Sequence, residues 1–251
     1  MIGKAGKVQH IGRMSSEPTW KPYYEPTTVP FSQQRSDERA ELGRRVGEKL
    51  DSNPEILRFA SDPQHPVQMY LYENFLSADE CRALTEQIDS GCYPSTLFEQ
   101  EKYAGVRTSH SCNLDAYNPL VAEVDRRIAN LLGIDPALGE PLQGQRYHVG
   151  QCFKDHVDFF YVDQPYWAEY ASHGGQRTWT AMAYLAAPVR GGRTGFGLLN
   201  VEIEAKVGRL LIWNNMADDG SPNGWVLHSG QPVEEGVKYV ITKWYRERRF
   251  V

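Results

Sequence analysis

Phe153-Lys-Asp-His156-Val-Asp158-Phe-Phe160 is the stretch on which the reading of this chain turns. Read as extended backbone, it sends the side chains of His156 and Asp158 to one face, because strand residues alternate with period two. An ionised carboxylate among Phe153, Val157, Phe159, Phe160 and Tyr161 is costly to bury without a partner. A divalent cation is such a partner. Of the seven histidines, His156 alone is followed two residues later by an acid. A third candidate ligand stands far along the chain at His228, inside the apolar run Trp225-Val-Leu-His228-Ser-Gly. Two imidazoles and one carboxylate on one side of an iron leave the other side open for a chelating cosubstrate and dioxygen. The competing reading is a surface His beside a solvated Asp, with His228 a hydrogen-bonded core residue.

Ten residues beyond His228 comes Lys238, in Val233-Glu-Glu-Gly-Val-Lys238-Tyr-Val. A lysine between Val237 and Tyr239 on a core strand needs an anion, since buried ammonium groups are seldom unpaired. The distal carboxylate of 2-oxoglutarate would supply one. A snorkelling edge-strand lysine is the alternative. Tyr147, nine residues before His156, and Thr194, just after Gly191-Gly-Arg193, carry hydroxyls able to donate to that carboxylate.

The chain has 251 residues, 41% hydrophobic and 12% aromatic, enough for one packed domain of ordinary size or one enlarged by peripheral helices. A net charge of -5 argues against nucleic acid as the main partner. No apolar run reaches membrane-spanning length, and no apolar segment follows Lys4, Lys7 and Arg13 to make a signal peptide. Met14 offers an alternative start. Cys81, Cys92, Cys112 and Cys152 show no C-x-x-C spacing; they read as reduced thiols of a cytoplasmic protein. Residues 1–34 read as a flexible N-terminal arm in which Pro18, Pro22, Pro26 and Pro30 recur every four residues, and residues 35–251 as a single domain. Three helices are predicted: one capped by Ser36 with Leu42, Val46 and Leu50 on one stripe; one opened by Ser77 and Glu80 with Cys81, Leu84 and Ile88; one opened by Asn118-Pro119 and ended by Gly133. Met69–Phe75 reads as a strand. After Pro141 the texture becomes strand-like: 143–148, 153–159, 179–186, 209–213, 225–228 and 239–245. Helices first and strands later predict an α+β layout.

The segments Arg146 to Asp158, His173-Gly-Gly-Gln-Arg177 to Leu185, Gly191-Gly-Arg-Thr194 and His228 to Lys238 resemble, in order and spacing, the prolyl 4-hydroxylase family of Fe(II)/2-oxoglutarate-dependent dioxygenases. Arg107-Thr-Ser109 is similar to that family's pattern as well, and the resemblance covers about residues 68 to 248. It implies a double-stranded β-helix, or jelly roll, over about 141–248, with N-terminal helices packed on the major sheet. It implies His156, Asp158 and His228 as iron ligands, and Lys238, Tyr147 and Thr194 around 2-oxoglutarate. It places Arg177 and Trp244 at the substrate cleft, with dioxygen as cosubstrate and ascorbate as reductant. The chain departs from the pattern at Phe153, where members often carry Tyr, and at Arg193, where an acid is common. The long connection from Asp163 to Ser172, with Tyr166, Trp167 and Tyr170, is expected to shape the substrate entrance.

These features predict an oxygenase that hydroxylates an unactivated C–H bond of a prolyl residue in a peptide or protein. Two alternatives stay open: a hydroxylase of a free amino acid or small natural product, and a non-catalytic, metal-stabilised jelly-roll binding protein.

Overall fold

Ser36, Ser77 and Asn118 each open a helix by accepting a hydrogen bond from a backbone N–H that the first turn would leave unpaired. In the computed structural model, which describes residues 27–59, 62–95 and 105–251, these helices are α1 (Asp37–Asp51), α2 (Ala78–Gly91) and α3 (Pro119–Leu132). At α2 the bond is reciprocal, Glu80 Oε2 accepting from Ser77 N at 2.8 Å. Gly133 ends α3 at φ 68°, in the left-handed region that favours glycine. A short fourth helix, α4 (Trp167–Ser172), lies after the metal-strand segment.

The strands, in chain order, are β1 (Ile56–Arg58), β2 (Met69–Tyr72), β3 (Tyr93–Pro94), β4 (His110–Asn113), β5 (Gln143–Tyr147), β6 (Phe153–His156), β7 (Arg177–Ala186), β8 (Arg190–Gly191), β9 (Thr194–Phe196), β10 (Val201–Ile203), β11 (Leu210–Asn214), β12 (His228–Gly230), β13 (Val233–Glu235) and β14 (Lys238–Arg246). An eight-stranded sheet runs β1-β2-β11-β7-β14-β5-β4-β3 and a four-stranded sheet β10-β9-β12-β6, with β13-β8 as a short ribbon. Neighbours in both main sheets are antiparallel.

Period-two alternation divides the large sheet between two cores. Trp179, Ala181, Ala183, Ile212 and Ile241 pack with Leu84 and Ile88 of α2 and with Val46 and Val124 of the other helices. The intervening Met182, Tyr184, Leu211, Trp213 and Val240 face the second core, where they meet Phe196 and Ile203 of the small sheet. The helix layer lies close against the sheet: a Cβ on Gly144 would stand 2.4 Å from Ile88 Cγ1.

Three expectations need correction. β6 ends at His156, so Asp158 is not on the strand; Phe160 N donates to Gln176 Oε1 and Gln176 Nε2 to Phe160 O, and this side-chain clamp replaces ladder pairing. Trp225–His228 is not a strand: Gly224–Val226 forms a 3-10 turn capped by Asn223, and pairing starts only at His228. The Asp163–Ser172 connection is partly helical, held by Tyr170 stacked on Phe160 at 4.2 Å between ring centroids. Most of the arm, residues 1–26, lies outside the described residues. Its described end, Phe31–Gln33, makes a 3-10 turn.

Candidate active site

Antiparallel pairing of β12 with β6 sets His228 directly opposite His156. Their ring centroids are 4.2 Å apart. Asp158, two residues past β6, brings Oδ2 to 4.0 Å from His228 Nε2. One ligand atom from each of His156, Asp158 and His228 lies within 4.8 Å of the other two. His156 Nδ1 donates to Lys154 O at 2.8 Å and His228 Nδ1 to Val226 O at 2.9 Å. A carbonyl only accepts, so each Nδ1 carries a proton, and in the neutral ring it is Nε2 that offers its lone pair to a cation. Burial, then the neighbouring His228, pushes His156 down to about 3, which keeps the ring neutral. Burial opposes the charge on Asp158, but His228, His156 and Arg177 outweigh it and hold the carboxyl below its ordinary value. Thr180 Oγ1 donates to Asp158 Oδ2 at 2.7 Å, and Asn215 Nδ2 donates to Thr180 Oγ1 at 2.9 Å. Two neutral imidazoles and one carboxylate, fixed from behind, suit Fe(II).

Lys238 opens β14 opposite Tyr147 on β5. It is 2% exposed. Its Nζ is 3.5 Å from Thr194 Oγ1 and 5.5 Å from the ring centroids of Tyr147 and Tyr184. No carboxylate pairs with it among the described residues, and burial pushes it down to about 7. Tyr184 OH donates to Thr194 Oγ1 at 2.8 Å, whereas Tyr147 OH donates to Gln145 Oε1 at 2.8 Å. A single pocket is lined by the three candidate ligands, Thr194, Lys238 and Trp244. An acid bound there can bridge a metal at one end and the ammonium at the other.

Arg177 and Trp244 sit together beside this pocket. The guanidinium lies 4.1 Å over the Trp244 ring. Its fork grips Glu140, with Nε to Oε1 at 2.6 Å and NH2 to Oε2 at 2.7 Å. Arg246 Nε meets the same Glu140 Oε1 at 2.5 Å. Both cations hold the Glu140 carboxyl low against its burial. Only Trp244 of the two lines the pocket.

Several residues at the site escaped sequence reading. Thr180 and Tyr184 alternate along Thr178-Trp-Thr180-Ala-Met182-Ala-Tyr184, and that period was the available signal. Arg107 lies over the Phe153 ring at 4.9 Å, and Phe153 stacks on His156 at 3.5 Å. Arg107 also donates to Ser109 Oγ and Gln143 Oε1, both at 3.0 Å. At position 153 a ring without a hydroxyl therefore serves as a spacer between cation and imidazole. Asn215 and Glu140 had no local signal, because their partners are distant in sequence.

The model of the 2OG-Fe(II) oxygenase superfamily matches residues 142–246. Prolyl 4-hydroxylase 5 of Arabidopsis thaliana is 31% identical over 205 residues, covering 72% of this chain and 68% of that protein. Prolyl 4-hydroxylase subunit alpha-3 of Mus musculus is 33% identical over 182 residues, covering 70% of this chain and 33% of that protein, so the chain spans about a third of that relative's length. In fold it is similar to the viral collagen prolyl hydroxylase from Paramecium Bursaria Chlorella virus-1, with a TM-score of 0.55 and 24% identity, covering 71% of this chain and 94% of that one. With the family model spanning every residue that lines the pocket, and a prolyl 4-hydroxylase matched along 72% of the chain, this chain belongs to the prolyl 4-hydroxylase family of Fe(II)- and 2-oxoglutarate-dependent oxygenases.

Proposed function

We propose that this protein is a 2-oxoglutarate-dependent dioxygenase that hydroxylates prolyl residues in a peptide or protein. The observation that carries this is the pocket itself: an N,N,O donor set at one end, and at the other a buried ammonium with no carboxylate partner among the described residues. His156, Asp158 and His228 would hold Fe(II); Lys238 and Thr194 would hold the far carboxylate of 2-oxoglutarate, with Tyr184 orienting the Thr194 hydroxyl. Bound together with dioxygen, iron and 2-oxoglutarate supply oxidative decarboxylation coupled to C–H hydroxylation. The chain's own residues do the rest. Val226 O and Lys154 O keep each Nε2 free. Thr180 and Asn215 fix the carboxylate. The apolar walls of Met182, Trp213 and Val240 keep bulk water from the chelate.

Arg177 and Trp244 form the substrate-side wall in this reading. The Glu140 fork fixes the guanidinium over the indole, so the pair meets the substrate as one rigid surface. Residues 35–251 are taken as one oxygenase domain whose two main sheets make a double-stranded β-helix with helices on the larger sheet. Residues 1–34 are the arm, the working compartment is the cytoplasm, and ascorbate serves as reductant. A peptide substrate is favoured because the relatives named above are prolyl hydroxylases.

The test is succinate formation from 2-oxoglutarate with Fe(II) and ascorbate, followed by mass spectrometry of proline-rich peptides and of free amino acids. Peptides should gain the mass of one oxygen atom. Modification of free amino acids alone would move the assignment to small-molecule chemistry, and no 2-oxoglutarate turnover at all would leave a binding protein.

A further inference from the structure

Resting on the reading that the site hydroxylates prolyl residues in a peptide, we propose that the peptide is acidic: a side-chain carboxylate within about two residues of the reacting proline docks on Arg107. Beside the pocket stand three guanidiniums, Arg107, Arg177 and Arg246, and among the described residues one carboxylate, Glu140, is shared by two of them. Arg177 takes both Glu140 oxygens and Arg246 meets Oε1 as well, so that carboxylate is fully used. Arg107 has no part in it. Its Nε and NH2 donate to neutral oxygens, Ser109 Oγ and Gln143 Oε1, each at 3.0 Å. No described residue accepts from its NH1. The Phe153 ring, 4.9 Å from the guanidinium, attracts the cation with its face and offers no acceptor.

The electrostatics ask for an anion. Burial, the largest influence, pushes the half-buried Arg107 below its ordinary value, and the like charge of Arg177 adds to that push. Asp158 acts the other way, but its carboxylate faces the two histidines and belongs to the candidate metal site. A carboxylate that met NH1 would form a charge-assisted bond and offset the excess of positive charge. The chain as a whole carries -5, so this attraction is local to the site.

The geometry sets the spacing. Phe153 lines the pocket and stacks on His156 at 3.5 Å. One ring therefore separates Arg107 from a candidate iron ligand, a gap that about two residues of extended chain can span. With the proline at the iron, its close neighbours in the peptide come within reach of the guanidinium. A Glu or Asp there is drawn in, and a Lys or Arg is repelled.

The test uses the full chain with Fe(II), 2-oxoglutarate, ascorbate and air, and peptides that differ only in carrying Glu, Gln or Lys at one of the two positions on either side of a single proline. Mass spectrometry of the product gives kcat/KM. At one position or more, Glu should exceed Gln by about 10–100-fold, and Lys should fall below Gln. Arg107→Gln should bring the Glu-to-Gln ratio close to one, and Arg107→Glu should reverse the order of Glu and Lys. These are ratios within one preparation, so a general loss of activity does not move them. For a variant without turnover, anaerobic binding of the same peptides to the Mn(II) and 2-oxoglutarate form gives the same ratios. Equal kcat/KM for the Glu and Gln peptides at every position overturns the proposal, as does a preference for Glu that survives Arg107→Gln. In both cases the assigned function stands. If 2-oxoglutarate is consumed and no peptide of the set gains oxygen, the assigned function falls, and this inference with it.

Discussion

Replacing Lys238 with Met should make the cofactor-free protein more stable and nearly blind to 2-oxoglutarate. Met keeps the length of the stem and removes the charge. Lys238 is 2% exposed, and burial lowers its ammonium from 10.5 to about 7. At 1.36 kcal/mol for each tenfold change in acidity, holding that charge costs the fold on the order of 5 kcal/mol, an upper figure. The cost is complete below about pH 7, where folded and unfolded chains are both protonated, and it vanishes as pH rises through the unfolded value near 10.5. K238M should therefore melt above wild type near neutral pH, by up to roughly 10–20 °C. The gap should close towards about pH 10. Removing one partner of a buried charge pair costs about 2–5 kcal/mol of binding, so the affinity for 2-oxoglutarate should fall roughly 30-fold to several-thousand-fold. Calorimetric melting across pH and titration of 2-oxoglutarate by calorimetry read the two effects separately. A variant that melts below wild type at neutral pH, or one that binds 2-oxoglutarate as wild type does, would refute the reasoning.

Thr180→Val removes the hydroxyl that donates to Asp158 and accepts from Asn215, and should weaken Mn(II) or Fe(II) binding about 10–100-fold while costing about 1–3 kcal/mol of stability; metal titration and urea unfolding check this. Glu140→Gln leaves Arg177 and Arg246 without their shared carboxylate and should destabilise the protein by roughly 3–5 kcal/mol in urea unfolding. Gly144→Ala forces a methyl against Ile88 and should cost about 1–3 kcal/mol by the same measurement, with affinity for 2-oxoglutarate kept.

The helix starts were legible because capping is local: Ser77 and Glu80 are three residues apart, and their reciprocal bond needs nothing else. His156, Asp158, His228 and Lys238 were legible because each is a polar group in apolar surroundings, a mismatch that asks for a partner. Their convergence in space depends on the register that sets His228 opposite His156, which the strand pattern alone does not state. The position of Asp158 was reached through a wrong premise. It faces the histidines from beyond the strand end, where Gln176 clamps Phe160. The Glu140–Arg177–Arg246 group stayed hidden because a buried ion network joins residues that no spacing links. Arg177 was singled out through family likeness, but its grip on Glu140 is a property of the folded chain alone.

The charges at the two ends of the pocket explain why neither cofactor should bind well alone. With both imidazoles neutral, as ligation requires, and Lys238 protonated, the charged side chains that line the pocket are Asp158 and Lys238, and their charges cancel. A ferrous ion alone leaves a double positive charge in a buried pocket, and the 2-oxoglutarate dianion alone leaves a double negative one. Both together restore neutrality. Burying uncompensated charge is expensive, so each cofactor should raise the affinity of the other, by an equal factor in both directions. A coupling of about 1–3 kcal/mol corresponds to a 5- to 150-fold change. Anaerobic titrations of Mn(II) with and without 2-oxoglutarate, and of 2-oxoglutarate with and without Mn(II), measure both arms. K238M should lower the affinity for 2-oxoglutarate but leave the coupling nearly unchanged, because the coupling is set by the product of the two ligands' charges and not by the charge of the empty pocket. Independent binding of the two in wild type would show that the charge balance across the pocket does not govern assembly of the site.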